Sequence, residues 1–174
     1  MSILLAHDSK IYFEVINLKT KTCCFTGHRR IQGDLAALKR KLKNAIIALI
    51  EKGVIYYGCG GAIGFDTLAS LSVLELKKDY PQIKLIMVLP CHGQEERWAE
   101  SDRKQYFDIL EQADKIVYVS EHYHSNCMFE RNRRLVNYSN YCIAYLKEDS
   151  GGTAYTVNYA RRKGLRVINL NLII

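Results

Sequence analysis

The chain has 174 residues, 48% hydrophobic and 25% charged, which is enough for one globular domain with a sizeable core. No apolar run approaches the ~20 residues that span a bilayer, so a helical membrane protein is excluded and a cytoplasmic location is expected. The net charge of +7 points to anionic partners, and nucleotide phosphates and nucleic acid both satisfy it.

Residues 1–20 are the hardest to place. Ile3-Leu4-Leu5-Ala6 is interrupted by His7, Asp8 and Lys10, too soon for a signal-peptide core. Residues 11–16 have strand propensity without clean alternation, so residues 1–20 read as an extension or an extra edge strand. Residues 21–174 then read as a single domain. A strand over 22–26 leads into the loop Gly27-His28-Arg29-Arg30. Asp34 caps a helix with Leu35, Leu38, Leu42, Ala45, Ile46 and Leu49 at helical spacing, ended by Gly53.

Next comes the most informative run. Residues 54–57 read as a buried strand, and Gly58, Gly60, Gly61 and Gly64 follow within seven positions. A helix from Phe65 to about Lys78 comes after. Strand, glycine-rich turn and helix start together make an anion site, because glycine admits close backbone approach and the first helical N–H groups lack intrahelical partners. The spacing is neither G-x-G-x-x-G, since Ile63 stands at the third glycine position, nor a Walker cradle. Asp66 is placed either to cap the second helix or to accept ribose hydroxyls.

Beyond the break at Asp79-Tyr80-Pro81, residues 83–89 form an apolar strand and 90–94 a loop. A helix runs through Trp98, Tyr106, Ile109, Leu110 and Ala113. Residues 115–119 are a strand, and Ser125 and Asn126 can cap a helix to about Tyr138. Strand 141–146, a helix opened by Ser150-Gly151-Gly152-Thr153 and closed by Gly164, and strand 166–170 complete the chain. Regular alternation of strand and helix predicts an α/β, Rossmann-like, doubly wound fold. Its sheet is mainly parallel, with about six or seven strands and helices on both faces. Ligands in such sheets bind beyond the carboxyl ends of the strands, where polar, basic and glycine residues cluster here.

Within that cluster, Arg29 is the preferred phosphate contact of the first loop, with His28 beside it. Met128 to Leu135 carries a basic run. Arg131 and Arg134 lie at i, i+3 on a face that reads by default as solvated, and Asn132 is a poor helix former in mid-helix. Gly151, Gly152 and the Thr153 hydroxyl repeat the glycine-loop logic. His122 and His124 lack a third ligand, so no metal is expected, and no cofactor is required. The six cysteines contain no C-x-x-C and read as reduced, buried thiols.

Thr26-Gly27-His28-Arg29, Gly60-Gly61-Ala62-Ile63-Gly64-Phe65-Asp66, Arg131-Asn132 and Gly151-Gly152-Thr153, in order over residues 21–170, resemble the YpsA-like branch of the SLOG superfamily. The resemblance implies a Rossmann-like fold that binds nucleotides or nucleotide-derived ligands. It implies a regulatory protein, linked to bacterial cell division or stress, that senses an ADP-ribose- or NAD-like molecule. Related branches imply two alternatives: an N-glycosidic-bond hydrolase of the LOG type and a single-stranded-DNA-binding module of the DprA kind. Met128-x-x-Arg131 matches half of the LOG signature. Residues 150–156 lack its proline and its glutamate, so the partner for glycosidic chemistry is missing. A small nucleotide ligand is thus the favoured partner, with nucleic acid and a homo-oligomer left open.

Overall fold

The computed structural model describes residues 17–172. The expectation of an edge strand over 11–16 lies outside the described residues. Six strands follow one another: β1 (Thr22–Gly27), β2 (Tyr56–Cys59), β3 (Lys84–Leu89), β4 (Lys115–Tyr118), β5 (Tyr141–Tyr145) and β6 (Arg166–Asn169). Between them lie α1 (Leu35–Ile50), α2 (Phe65–Leu76), α3 (Glu100–Gln112), α4 (Cys127–Asn137) and α5 (Gly151–Arg162). All pairings are parallel, in the order β4-β3-β2-β1-β5-β6. The Rossmann-like α/β fold expected from the alternation is the fold observed.

The chain moves outward from β1 to β2, β3 and β4, then jumps back over β1 to β5. Crossovers of one hand place α1–α3 on one face and α4–α5 on the other. The contacts agree: α1 packs on α2, α2 on α3, and α4 on α5. Strand alternation divides the core accordingly. Cys23 and Phe25 join Leu42, Ile46, Phe65 and Val73 on the first face. Cys24 joins Leu135, Val136, Cys142 and Ala160 on the second. Each fully buried large aliphatic or aromatic side chain contributes ~1.5–3 kcal/mol through burial.

Local signals set several boundaries. The Asp34 carboxylate accepts the N–H groups of Ala36 and Ala37 at 2.8 and 3.0 Å, so the expected cap of α1 is present. Asn126 and Ser150 hold N-cap positions without a side-chain capping bond. α3 starts at Glu100, with Trp98 in the turn before it, and Glu100 and Asp102 suit the positive end of the helix. β2 starts two residues later than expected and includes Gly58 and Cys59. A Cβ on Gly58 would lie 2.9 Å from Leu135 Cδ2, so this glycine lets α4 press against the strand. All six cysteines are free and buried.

Candidate functional site

The switch in chain direction lies between β1 and β5, and a cleft opens there beyond the carboxyl ends of the strands. Its cavity, of about 270 Å³, is lined by Phe25, Thr26, Gly27, His28 and Arg29 from β1 and its loop, and by Ala62 and Asp66 from the glycine loop and α2. Met128, Arg131, Asn132 and Leu135 come from α4, and Gly152 and Thr153 from the first turn of α5. Four stretches far apart in sequence therefore meet in one place.

Asp66 and Arg131 form the floor. Both are buried, at 7% and 6% exposure, and Arg131 Nη1 stands 3.5 Å from Asp66 Oδ2. Arg134 is exposed, in line with the solvated default for this run, whereas the candidate contact Arg131 is buried, because one helical face turns inward over the sheet. Asp66 does not cap its own helix. Its carboxylate accepts the Ala62 N–H at 3.2 Å instead. Burial pushes the Asp66 carboxyl above its ordinary value, while Arg131, the Ala62 N–H, Arg29 and the Gly60 N–H pull it back down. Arg131 Nε finds no hydrogen-bond acceptor among the described residues. A buried guanidinium has five donors in a fixed fork, and a single long contact to Asp66 leaves it short of acceptors.

The glycines of the central loop have a structural reason that differs from the expected one. A Cβ on Gly60 would sit 1.4 Å from Arg131 Nη1, so the missing side chain is what lets the guanidinium lie over the loop. Gly64 has φ of +81°, and a Cβ there would strike the Arg29 carbonyl oxygen at 2.1 Å. These glycines bring protein to protein. Gly58, Gly60, Gly61, Gly64 and Gly151 are not among the residues lining the cleft cavity, whereas Gly27, His28, Arg29, Asp66, Arg131, Asn132, Gly152 and Thr153 are. Part of the anion-binding capacity of the loop is already spent on Asp66, which takes the Ala62 N–H. Cys59 lies beneath, its thiol 3.2 Å from the Asp66 carbonyl oxygen, and burial pushes it up to about 12, so it stays protonated and inert.

The walls are fixed by second contacts. His28 Nε2 accepts the Lys147 N–H at 3.0 Å, which in a neutral imidazole leaves the proton on Nδ1 as a donor. The His28 carbonyl accepts the Phe65 N–H at 3.2 Å, tying the first loop to the start of α2. Asn132 Nδ2 donates to Thr156 Oγ1 at 3.0 Å, and Thr156 donates to the Gly152 carbonyl at 2.8 Å. Asn132 thus ties α4 to α5, which accounts for an unfavourable residue in mid-helix. Arg29 stands exposed at the rim.

Phe25, Thr26, Ala62, Met128 and Leu135 also line the cavity and are not among the candidates from sequence. Alternation along β1 puts Thr26 on the Cys24 face at the strand's carboxyl end, a signal that could have found it. His122 and His124 are exposed, and His124 lies 3.5 Å from Glu130. Among the described residues no group of three His, Cys, Asp or Glu side chains is placed to hold a metal ion. No helix among them is long and apolar enough to cross a membrane.

The YpsA profile, described as the YspA SLOG family, matches residues 23–172. A UPF0398 protein of Brevibacillus brevis is 31% identical over 132 residues, covering 74% of this chain and 70% of that one. A UPF0398 protein of Bacillus pumilus is 33% identical over 129 residues, covering 72% and 69%. Among solved structures, DNA processing protein A (DprA) from Streptococcus pneumoniae superposes with a TM-score of 0.62 at 18% identity, over 86% of this chain and 50% of that chain. DprA from Helicobacter pylori, described for its single-stranded DNA binding mode, gives a TM-score of 0.62 at 17% identity, over 88% and 66%. The chain thus spans half of one DprA and about two thirds of the other, and the likeness is one of fold.

Proposed function

The chain belongs to the YpsA-type SLOG family, and on that premise we propose that its cleft binds a phosphate-bearing, nucleotide-derived ligand of the ADP-ribose or NAD kind as a regulatory protein. The observation that carries this reading is the buried Arg131 guanidinium facing the cavity with an unmatched Nε and one 3.5 Å contact to Asp66. A phosphate in the cavity would accept from the Nη groups that the one long Asp66 contact leaves short of acceptors, and a guanidinium holds phosphate oxygens through charge-assisted bonds. The His28 Nδ1–H, the Thr153 hydroxyl and the first-turn N–H groups of α5 stand around the same space as further donors. Asp66 and Asn132 offer acceptors for ribose hydroxyls.

The test is a thermal-shift series with ADP-ribose, NAD, AMP and, as phosphate-free controls, adenosine and ribose. A ligand that binds only the folded state raises the melting temperature in proportion to its saturation. Stabilisation by the phosphorylated compounds alone is the expected result. Equal stabilisation by adenosine would remove the phosphate from the reading.

A second reading has one specific observation in its favour. Asp66 is a buried carboxyl in the cleft, and burial raises it above the ordinary carboxylate value, the direction in which a general acid for N-glycosidic cleavage is tuned. Release of nicotinamide from NAD, or of free base from nucleoside monophosphates, abolished by Asp66→Asn, would establish that reading.

A further inference from the structure

The outer face of α4 and α5 carries a feature that the cleft does not use. Both helices follow strands of a parallel sheet, so they run in the same direction and their exposed rows lie side by side. Phe129 on α4 packs edge-to-face on Tyr155 of α5, with centroids 5.0 Å apart. Tyr155 and Tyr159, one helical turn apart, lie within 3° of parallel at 6.3 Å. Arg133 Nε donates to the Tyr155 hydroxyl at 2.7 Å, and its guanidinium lies 5.8 Å from the centre of that ring. Arg162 and Lys163 lie 5.9 and 5.6 Å from the centre of the Tyr159 ring. The result is an aromatic row edged with cations.

The charge here is only partly offset, by Glu130 one turn before Arg133 on α4. Elsewhere on the molecule, Lys39 and Lys43 pair with Glu75, and Lys77 and Lys84 pair with Asp114. Among the described residues, Arg133, Arg162 and Lys163 have no carboxylate within ion-pair distance, and α5 contains no acidic residue. Phe129 is 42% exposed, the two tyrosines are half-buried, and the three cations are exposed. Exposed cations ranged along aromatic rings form a surface for a polyanion that also has flat, apolar faces.

We propose that this face binds single-stranded nucleic acid, with bases stacking along Phe129, Tyr155 and Tyr159 and phosphates held by Arg133, Arg162 and Lys163. Such stacking tolerates any sequence, since every base has a π face, and the cations follow the backbone. The proposal does not depend on the cleft reading.

Fluorescence anisotropy tests it with oligo-dT and oligo-U of roughly 20 nucleotides, longer than the ~4–16 nucleotides that single modules cover. The full chain is expected to bind both at low salt, or one of them if the sugar matters. Affinity should fall linearly on a log–log plot against salt. The double variant Arg162→Glu/Lys163→Glu lies on the exposed surface and should keep its melting temperature. It should bind about tenfold or more weakly and flatten the salt slope by about 1.4, at ~0.7 per phosphate contact. Tyr159→Leu should weaken binding several-fold, while Tyr159→Phe, which keeps the ring, should not. Saturating ADP-ribose should leave the strand bound, which separates this face from the cleft. Absence of binding by the parent at low salt, or equal binding by the charge-reversed variant, would overturn the proposal. Displacement of the strand by polyglutamate with no effect of Tyr159→Leu would overturn it too, by making the patch a general polyanion site.

Discussion

Arg131 and Asp66 stand 65 positions apart in sequence, and their side chains meet at 3.5 Å in the floor of the cleft. That distance is long for a charge-assisted bond, which is usually ~2.7–2.9 Å. The pair is close enough to offset much of the cost of burying two charges and loose enough to leave the guanidinium with donors to spare. Gly60 completes the relationship, since only a residue without a side chain leaves room for Nη1 above the loop.

The first prediction concerns that crowding. Gly60→Ala should destabilise the protein by ~1–3 kcal/mol, the usual cost of overpacking, because the new methyl group meets the guanidinium. In an Arg131→Ala background the same change should cost much less. Denaturation midpoints of the two single variants and the double variant measure the coupling. Additive costs would show that Gly60 is needed for some reason other than Arg131.

The second concerns the pH dependence of Asp66. Its folded pKa is raised, so above the ordinary carboxylate value of ~3.9 the folded state retains a proton that the unfolded state has released. Its contribution to stability is therefore full below that value and falls as pH rises through the raised pKa. Asp66→Asn should flatten this part of the stability profile. Arg131→Ala removes the nearest positive charge and should extend the fall to higher pH, so its cost should be larger near neutrality than near pH ~4. Urea melts across the pH range would show it, and an Arg131→Ala cost that grows towards acid would contradict the assignment.

Asp114 carries the opposite sign. Burial alone would raise its carboxyl, but Lys77, the Leu85 N–H and Lys84 together hold it below its ordinary value. Its stabilisation is present above the ordinary value and is lost as pH falls through the lowered one. Asp114→Asn should cost ~1–3 kcal/mol near neutral pH, the worth of hydrogen bonds to a charged group, and progressively less in acid. A cost independent of pH would mean that the N–H bond to Leu85, at 2.9 Å, matters and the charges do not.

Much of this architecture was legible in the sequence, for identifiable reasons. Alternation of strand and helix, the Asp34 cap and the apolar run at 83–89 are local signals, and local signals gave the order of elements and the end of the sheet where the cleft lies. Long-range packing was not legible. Gly58 read as loop because glycine weakens strands, yet Leu135 of α4 needs the space above it. Arg131 is a candidate ligand contact in the sequence, but nothing nearby in sequence shows that its helical face turns inward to meet Asp66. The loop glycines were read through phosphate, although Gly60 and Gly64 are explained by contacts with Arg131 and Arg29. Eight of the thirteen candidate residues line the cavity, because ends of neighbouring parallel strands converge whatever the individual reasons for each residue.

The tie between α4 and α5 yields another expectation. Thr156→Val removes the hydroxyl that accepts from Asn132 and donates to the Gly152 carbonyl, at nearly constant volume. It should cost ~1 kcal/mol or more, because the amide of Asn132 is left without this partner. It should also weaken ligand binding, since Asn132 and the first turn of α5 both line the cleft. A variant with lowered stability and unchanged affinity would confine the bond to packing.

The central claim is that the Arg131 guanidinium binds a phosphate, and isothermal titration of ADP-ribose into the parent and into Arg131→Lys tests it most directly. Lysine keeps the positive charge but loses the planar fork, so the variant is expected to remain folded by thermal melting and to bind at least about tenfold more weakly. The parent should bind ADP-ribose and not adenosine. Equal affinity of parent and variant for ADP-ribose, or no heat of binding with the parent at all, would contradict the account.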